Sequence, residues 1–152
     1  MRNSLTFLLA DDDADDASIF QDALLEVDHS ISLQYARDGQ ETIEILKERN
    51  SSLPDLIFLD LNMPRMDGKE CLKLLKLDSE LSRIPVIMYT TSSQAKDIEE
   101  TMMSGALCFI TKPSSMKELI RILSTIVQGF PTDLQKEIRM LSNNSSTFIV
   151  SS

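Results

Sequence analysis

With 152 residues the chain has room for one domain with a substantial core and not for two of full size. Its 15 Lys and Arg stand against 24 Asp and Glu, a net charge of −9, and no basic run offsets this, which argues against direct nucleic-acid binding. The opening "MRNSLTFLLADDD" turns acidic too early for a secretion signal or a membrane span, so a soluble cytoplasmic protein is expected.

Taken in chain order, short apolar runs alternate with helical patterns. "LTFLLA" (5–10) reads as a buried strand, and Ile19, Phe20, Ala23, Leu24 and Val27 form one stripe of a helix over 15–27. "ISLQYA" (31–36) alternates like a strand, and "DGQ" opens a helix over 40–49 with Ile43, Leu46 and Lys47 spaced for one buried side. "LPDLIFLD" (53–60) is a continuous apolar run ending in an aspartate. It is followed by "LNMPRMDG", whose Pro64 and Asp67-Gly68 force a loop. A Leu-rich helix over 69–77 follows, with Asp67 and Glu70 at capping-box spacing.

"IPVIMYT" (84–90) is the next strand. "TSSQAKDIEETMMSG" is a helix stopped at Gly105, and "LCFIT" (107–111) is the fifth strand. The last strong helix starts from a second capping box, Ser115 with Glu118, and carries Met116, Leu119, Ile120, Leu123, Ile126 and Val127 at helical spacing. Five strands alternating with five helices imply an α/β, doubly wound fold with a parallel sheet covered on both faces. That unit spans 1–130. Residues 131–152 read as a C-terminal extension, partly helical at "PTDLQKEIRM" and then a flexible tail at "LSNNSSTFIVSS". No output domain and no internal repeat is evident.

Ligands of such sheets bind beyond the carboxyl ends of the strands. At those ends lie Asp11 and Asp12, Asp60, Thr90 and Lys112: three carboxylates, a hydroxyl and an ammonium. Three carboxylates suit Mg2+, which takes a few carboxylates plus water and phosphate oxygens. With their repulsion neutralised, one carboxylate can attack phosphorus, while the hydroxyl and ammonium hold the phosphoryl oxygens.

"LLADD", "LIFLDLNMPRMDG", "PVIMYTT" and "FITKP", in this order, resemble the receiver domain of two-component response regulators, of the stand-alone single-domain type, over roughly residues 5–128. The resemblance implies a five-stranded (βα)5 flavodoxin-like sheet of order 2-1-3-4-5. It implies Asp60 as phosphoacceptor, and Mg2+ held by Asp11, Asp12, Asp60 and the Asn62 backbone carbonyl. Thr90 and Lys112 would bind the phosphoryl group, Thr90 and Phe109 would act as the switch, and the Lys112–Pro113 bond would be cis. The family commonly has a small residue where this chain has Thr91, which puts the switch kinetics in question. "DDADD" and "RIPVIMYTTS" are further similar to small regulators that pair with phytochrome-type sensor kinases.

The function so implied is phosphorelay signalling. A sensor histidine kinase or histidine phosphotransfer protein donates to Asp60, and the output goes to a protein partner or into a homodimer. Beyond its own phosphorylation and slow dephosphorylation the chain is not expected to be an enzyme, and neither nucleic acid nor membrane is expected as partner. One rival is a haloacid-dehalogenase-type phosphatase with Asp11 as nucleophile and Asp13 as acid. It lacks the late acidic pair, since only Glu118, Asp133 and Glu137 follow Lys112. A calcium loop at Asp11, Asp13 and Asp15 fails because Asp16 and Asp22 stand where Gly and Glu are needed. A pure interaction module would not need all five pocket side chains.

Several residues take ordinary readings. Asp13, Asp15 and Asp16 cap the first helix and complement its dipole. Cys71 and Cys108 are reduced core thiols, and His29 is a surface turn residue. Met102 and Met103 could pave a partner surface or fill core.

Overall fold

The computed structural model describes residues 4–48, 52–144 and 147–151. Its elements run β1 (Thr6–Ala10), α1 (Ala14–Val27), β2 (Ser32–Ala36), α2 (Gly39–Leu46), β3 (Leu56–Leu59), α3 (Gly68–Leu77), a 3-10 turn at Leu81–Arg83, and β4 (Val86–Thr90). There follow α4 (Ala95–Met103), β5 (Cys108–Thr111), α5 (Met116–Gln128), α6 (Leu134–Asn144) and β6 (Ile149–Ser151). The end of the second expected helix, at 49, lies outside the described residues.

Strand order is β2-β1-β3-β4-β5-β6 in one six-stranded sheet. The first five strands are parallel, as alternation with helices requires. Successive strand residues point to opposite faces, so each strand feeds two cores. Phe7, Leu9, Phe58, Ile87 and Ile110 pack under Phe20 and Leu24 of α1 and Leu123 and Ile126 of α5. Leu8, Ile57, Leu59, Val86 and Met88 pack under Leu46 of α2 and Cys71, Leu72 and Leu75 of α3. Each fully buried side chain of this size contributes roughly 1.5–3 kcal/mol.

The expectation of five strands is corrected by β6. It pairs antiparallel with β5, with Ile149 opposite Ile110 and Val150 opposite Phe109. The Thr111 N–H donates to the Phe148 carbonyl at 3.0 Å. A bare β5 edge would leave a row of unpaired backbone groups, and a short β-branched segment behind a Ser/Asn-rich stretch satisfies them. The path to that edge is set by α6, an 11-residue helix that runs past the expected helical stretch into "LSNN", whose Ile138 and Leu141 are buried on the α1–α5 side of the sheet.

The capping readings hold. The Asp13 carboxylate accepts from the Asp15 and Asp16 N–H groups, Asp67 from Glu70 N–H, and Ser115 Oγ from Glu118 N–H. Both cysteines are free and buried, and burial pushes the Cys71 thiol up to about 12. Three stripe assignments change. Ile19 is 45% exposed and Met116 39%, while Lys47 leaves the buried side of α2 to Thr42 and Leu46. Met103 is 81% exposed, whereas Met102 packs against the core. The cis proline bond among the described residues is Phe130–Pro131, so Lys112–Pro113 is not cis. For X-Pro bonds the two forms differ by only about 0.5–1 kcal/mol, and local packing decides between them.

Candidate functional site

Asp11, Asp60, Thr90 and Lys112 each lie at or one position beyond a strand end, with the backbone ladder still extended to them, and Asp12 follows Asp11. Asp11 N–H donates to the Ala36 carbonyl at 3.0 Å, Asp60 N–H to Ala10 at 3.0 Å, and Lys112 N–H to Thr90 at 2.7 Å. A rigid sheet edge therefore fixes their main chains, while the side chains reach past it. The loop after Asp60 is pinned from α2. Gly39 N–H donates to the Met66 carbonyl at 3.0 Å, and Arg65, at φ 63°, pairs with Asp38 at 2.8 Å. Gly68 closes the loop against Asp60. A Cβ there would lie 2.1 Å from the Asp60 carbonyl oxygen, so no larger residue fits without movement.

Asp11, Asp12 and Asp60 each offer a carboxylate oxygen within 4.8 Å of the others. Asp11 and Asp60 are buried and Asp12 is exposed. Asp11 Oδ1 accepts from Asp13 N–H at 2.9 Å, and the Tyr35 hydroxyl donates to the Asp11 carbonyl at 2.8 Å. Asp11 Oδ2 is buried with no aligned hydrogen-bond donor among the described residues. Lys112 Nζ comes within 2.8 Å of that oxygen, but as an ion pair without hydrogen-bond geometry. Burial raises the Asp11 carboxyl to about 6, against the opposing pull of Lys112 and Asp13 N–H. A divalent cation would give this oxygen the directed bond that the ammonium does not make, so the donor set fits one.

Asp60 Oδ1 accepts from Leu61 N–H at 2.8 Å, and its Oδ2 lies 3.5 Å from Lys112 Nζ. Burial opposes the charge of Lys112, but the carboxylates of Asp11, Asp16 and Asp60 outweigh it and shift its pKa upward, so the side chain is an ammonium. Nζ also sits 5.7 Å from the centre of the Tyr89 ring, a largely buried cation over an aromatic face.

Thr90 is fully buried, and its hydroxyl accepts from Ser92 N–H at 3.5 Å. The loop after it is stitched to its neighbours: Thr111 Oγ1 donates to the Ser92 carbonyl, and Ser92 Oγ to Asp97 of α4 at 2.6 Å. Asn62 is exposed in the loop after Asp60. Phe109 is fully buried in the core on the α3 side, with Val150 packed against that cluster.

Asp11, Asp12, Asp60 and Lys112 thus converge as their strand-end positions anticipate, and Thr90 joins them through the backbone of Lys112. Asp16 belongs with them although it reads as a helix-dipole residue, for its Oδ2 is 2.8 Å from Lys112 Nζ. Tyr89 was likewise invisible as a pocket residue. Its place in an apolar strand gave no sign of the cation beside it. Asp13 is occupied as a helix cap, which removes the acid that a phosphatase built on Asp11 would need.

A family model described as the response regulator receiver domain matches residues 7–124. The response regulator Rcp1 of Synechocystis sp. is 34% identical over 125 residues, covering 78% of this chain and 84% of that protein. The solved structure of the phosphorylated cyanobacterial phytochrome response regulator RcpA superposes with a TM-score of 0.78 at 33% identity, covering 86% of this chain and 96% of that one. The Mn2+-bound form of Rcp1 gives 0.74 at 32% identity, over 83% and 93% of the respective chains. No helix among the described residues is long and apolar enough to cross a membrane. The chain belongs to the response regulator receiver domain family, whose work is phosphorelay signalling and not metabolic turnover.

Proposed function

We propose that Asp60 is the phosphoacceptor, fed by a sensor histidine kinase or a histidine phosphotransfer protein. The buried Asp11 Oδ2, lacking an aligned donor beside Asp12 and Asp60, carries this reading. Mg2+ held by Asp11, Asp12, Asp60 and the Asn62 carbonyl would screen the incoming phosphoryl charge. An oxygen of Asp60 attacks phosphorus and forms the acyl O–P bond. The N–P bond breaks, and its electron pair leaves with the imidazole nitrogen of the donor. Leu61 N–H orients the Asp60 carboxylate, and Lys112 and Thr90 bind the phosphoryl oxygens.

Thr90 moving toward the new charge would pull on Ser92, and through it on Thr111 and Asp97. That route supports an output through α4 and β5. Phe109 shares in this switch only if Val150 and β6 yield, because the ring is enclosed. The receiver unit is 1–130. Residues 131–152 are an extension, of which α6 packs on α5 and β6 pairs with β5, and a homodimer or a protein partner receives the signal in the cytoplasm. The relatives named for phytochrome signalling support a donor of the phytochrome-kinase class.

The test is intact mass after incubation with Mg2+ and a small acyl phosphate. One added phosphoryl group in the wild type and none in Asp60→Asn supports the reading; an equal gain in Asp60→Asn refutes it.

A further inference from the structure

Lys112 Nζ is surrounded by three carboxylates, and they are not equivalent. Its contact with Asp11 Oδ2, at 2.8 Å, lacks hydrogen-bond alignment, and its bond to Asp60 Oδ2 is long at 3.5 Å. The short, aligned bond goes to Asp16 Oδ2 at 2.8 Å. Asp16 stands in the first turn of α1, outside the group of carboxylates that can share a metal ion. A cation loaded on Asp11, Asp12 and Asp60 takes the charge of those oxygens and repels the ammonium beside them. Asp16 is the carboxylate whose charge remains directed at Lys112.

We propose that Asp16 is a positioning residue that holds the Lys112 ammonium at the pocket while metal and phosphoryl group enter, an inference that rests on the Asp60 reading above. An ammonium has three N–H donors. One anchored on Asp16 leaves two for the phosphoryl oxygens, and it limits the swing of a long side chain whose other carboxylate partners are engaged by the metal and whose remaining neighbour is the face of the Tyr89 ring. The Lys112 side chain is 10% exposed and the Asp16 side chain 34%, so the anchor sits at the pocket mouth. A charge-assisted bond with that degree of exposure corresponds to a loss of about five- to thirty-fold when removed.

The rate of phosphoryl uptake from a small acyl phosphate with saturating Mg2+, followed by intact mass, tests this in the full chain. Asp16→Asn slows uptake by about five- to thirty-fold, and Asp16→Glu, which keeps the charge, recovers most of the rate. Asp15→Asn removes the same charge from the same helical turn and stays within about twofold of wild type. A phosphorylated wild type with Asp16→Asn unchanged, or with Asp15→Asn equally slow, overturns this inference alone. A wild type that takes up nothing overturns the Asp60 reading and this inference with it. Circular dichroism confirms that each variant is folded; should Asp16→Asn fail to fold, Asp16→Ser carries the same comparison.

Discussion

Replacing Gly68 by alanine sets two opposing effects against each other at the loop that carries Asp60. Gly68 opens α3, where alanine is the better helix former by about 1 kcal/mol. Yet the new Cβ would meet the Asp60 carbonyl oxygen at 2.1 Å, Leu61 Cα at 2.8 Å and the Asp60 carbonyl carbon at 2.9 Å. All three are backbone atoms, so no rotamer can give way, and the loop must retreat by about 1 Å to restore van der Waals contact. Overpacking of this kind costs about 1–3 kcal/mol, and the rigid partners place it at the upper end. The net expectation is a loss of roughly 1–2 kcal/mol in urea unfolding with unchanged slope. A shift of about 1 Å in the attacking group also lowers phosphoryl uptake on the order of a hundredfold. A variant as stable as wild type, or one destabilised with uptake unimpaired, would refute the reasoning that this glycine sets the position of Asp60.

Further outcomes follow from the extension and the surface charges. Ile138→Ala removes a side chain that is 1% exposed in α6 and should cost about 2–4 kcal/mol in urea unfolding, whereas a loose appendage would show no loss. Deleting residues 147–152 strips the antiparallel edge, so the Thr111 amide should exchange its hydrogen at least about tenfold faster while the Phe58 amide keeps its protection. Equal exchange at Thr111 would show that β6 does not cover the edge. Lys69 bridges α3 to α4 through Asp97 at 2.7 Å and Glu100 at 2.8 Å, and it holds both carboxyls below their usual range. Carboxyls lowered in the folded state add stability above their ordinary range, and this is lost as pH falls through their lower folded values. Lys69→Met should therefore flatten the acid limb of the stability curve, and an unchanged limb would contradict the pairing.

The parts of the fold legible beforehand are those set by local patterns. Apolar runs ending in Asp11, Asp60 and Thr90 mark strand ends because the same short stretch both packs and delivers the polar group. Asp13, Asp67 and Ser115 act through bonds to residues two or three positions away, which spacing reveals. Long-range pairing was not legible. Asp16 finds Lys112 across 96 positions, and nothing near Asp16 distinguishes it from its neighbour Asp15. The strand at 149–151 exists because β5 offers a free edge, a property of the assembled sheet and not of "IVS". Ile19 fits the helical stripe by spacing, yet it lines an open groove between α1 and α5 with Asp16, Tyr89, Lys112 and Met116. Helical periodicity alone does not say where the covering elements end.

The central claim is that the phosphoryl group resides on Asp60. Borohydride reduction of the phosphorylated chain, followed by peptide mapping, locates the acyl phosphate as a reduced side chain. The modification is predicted on the peptide bearing Asp60; its appearance at Asp11 or Asp12 would contradict the account.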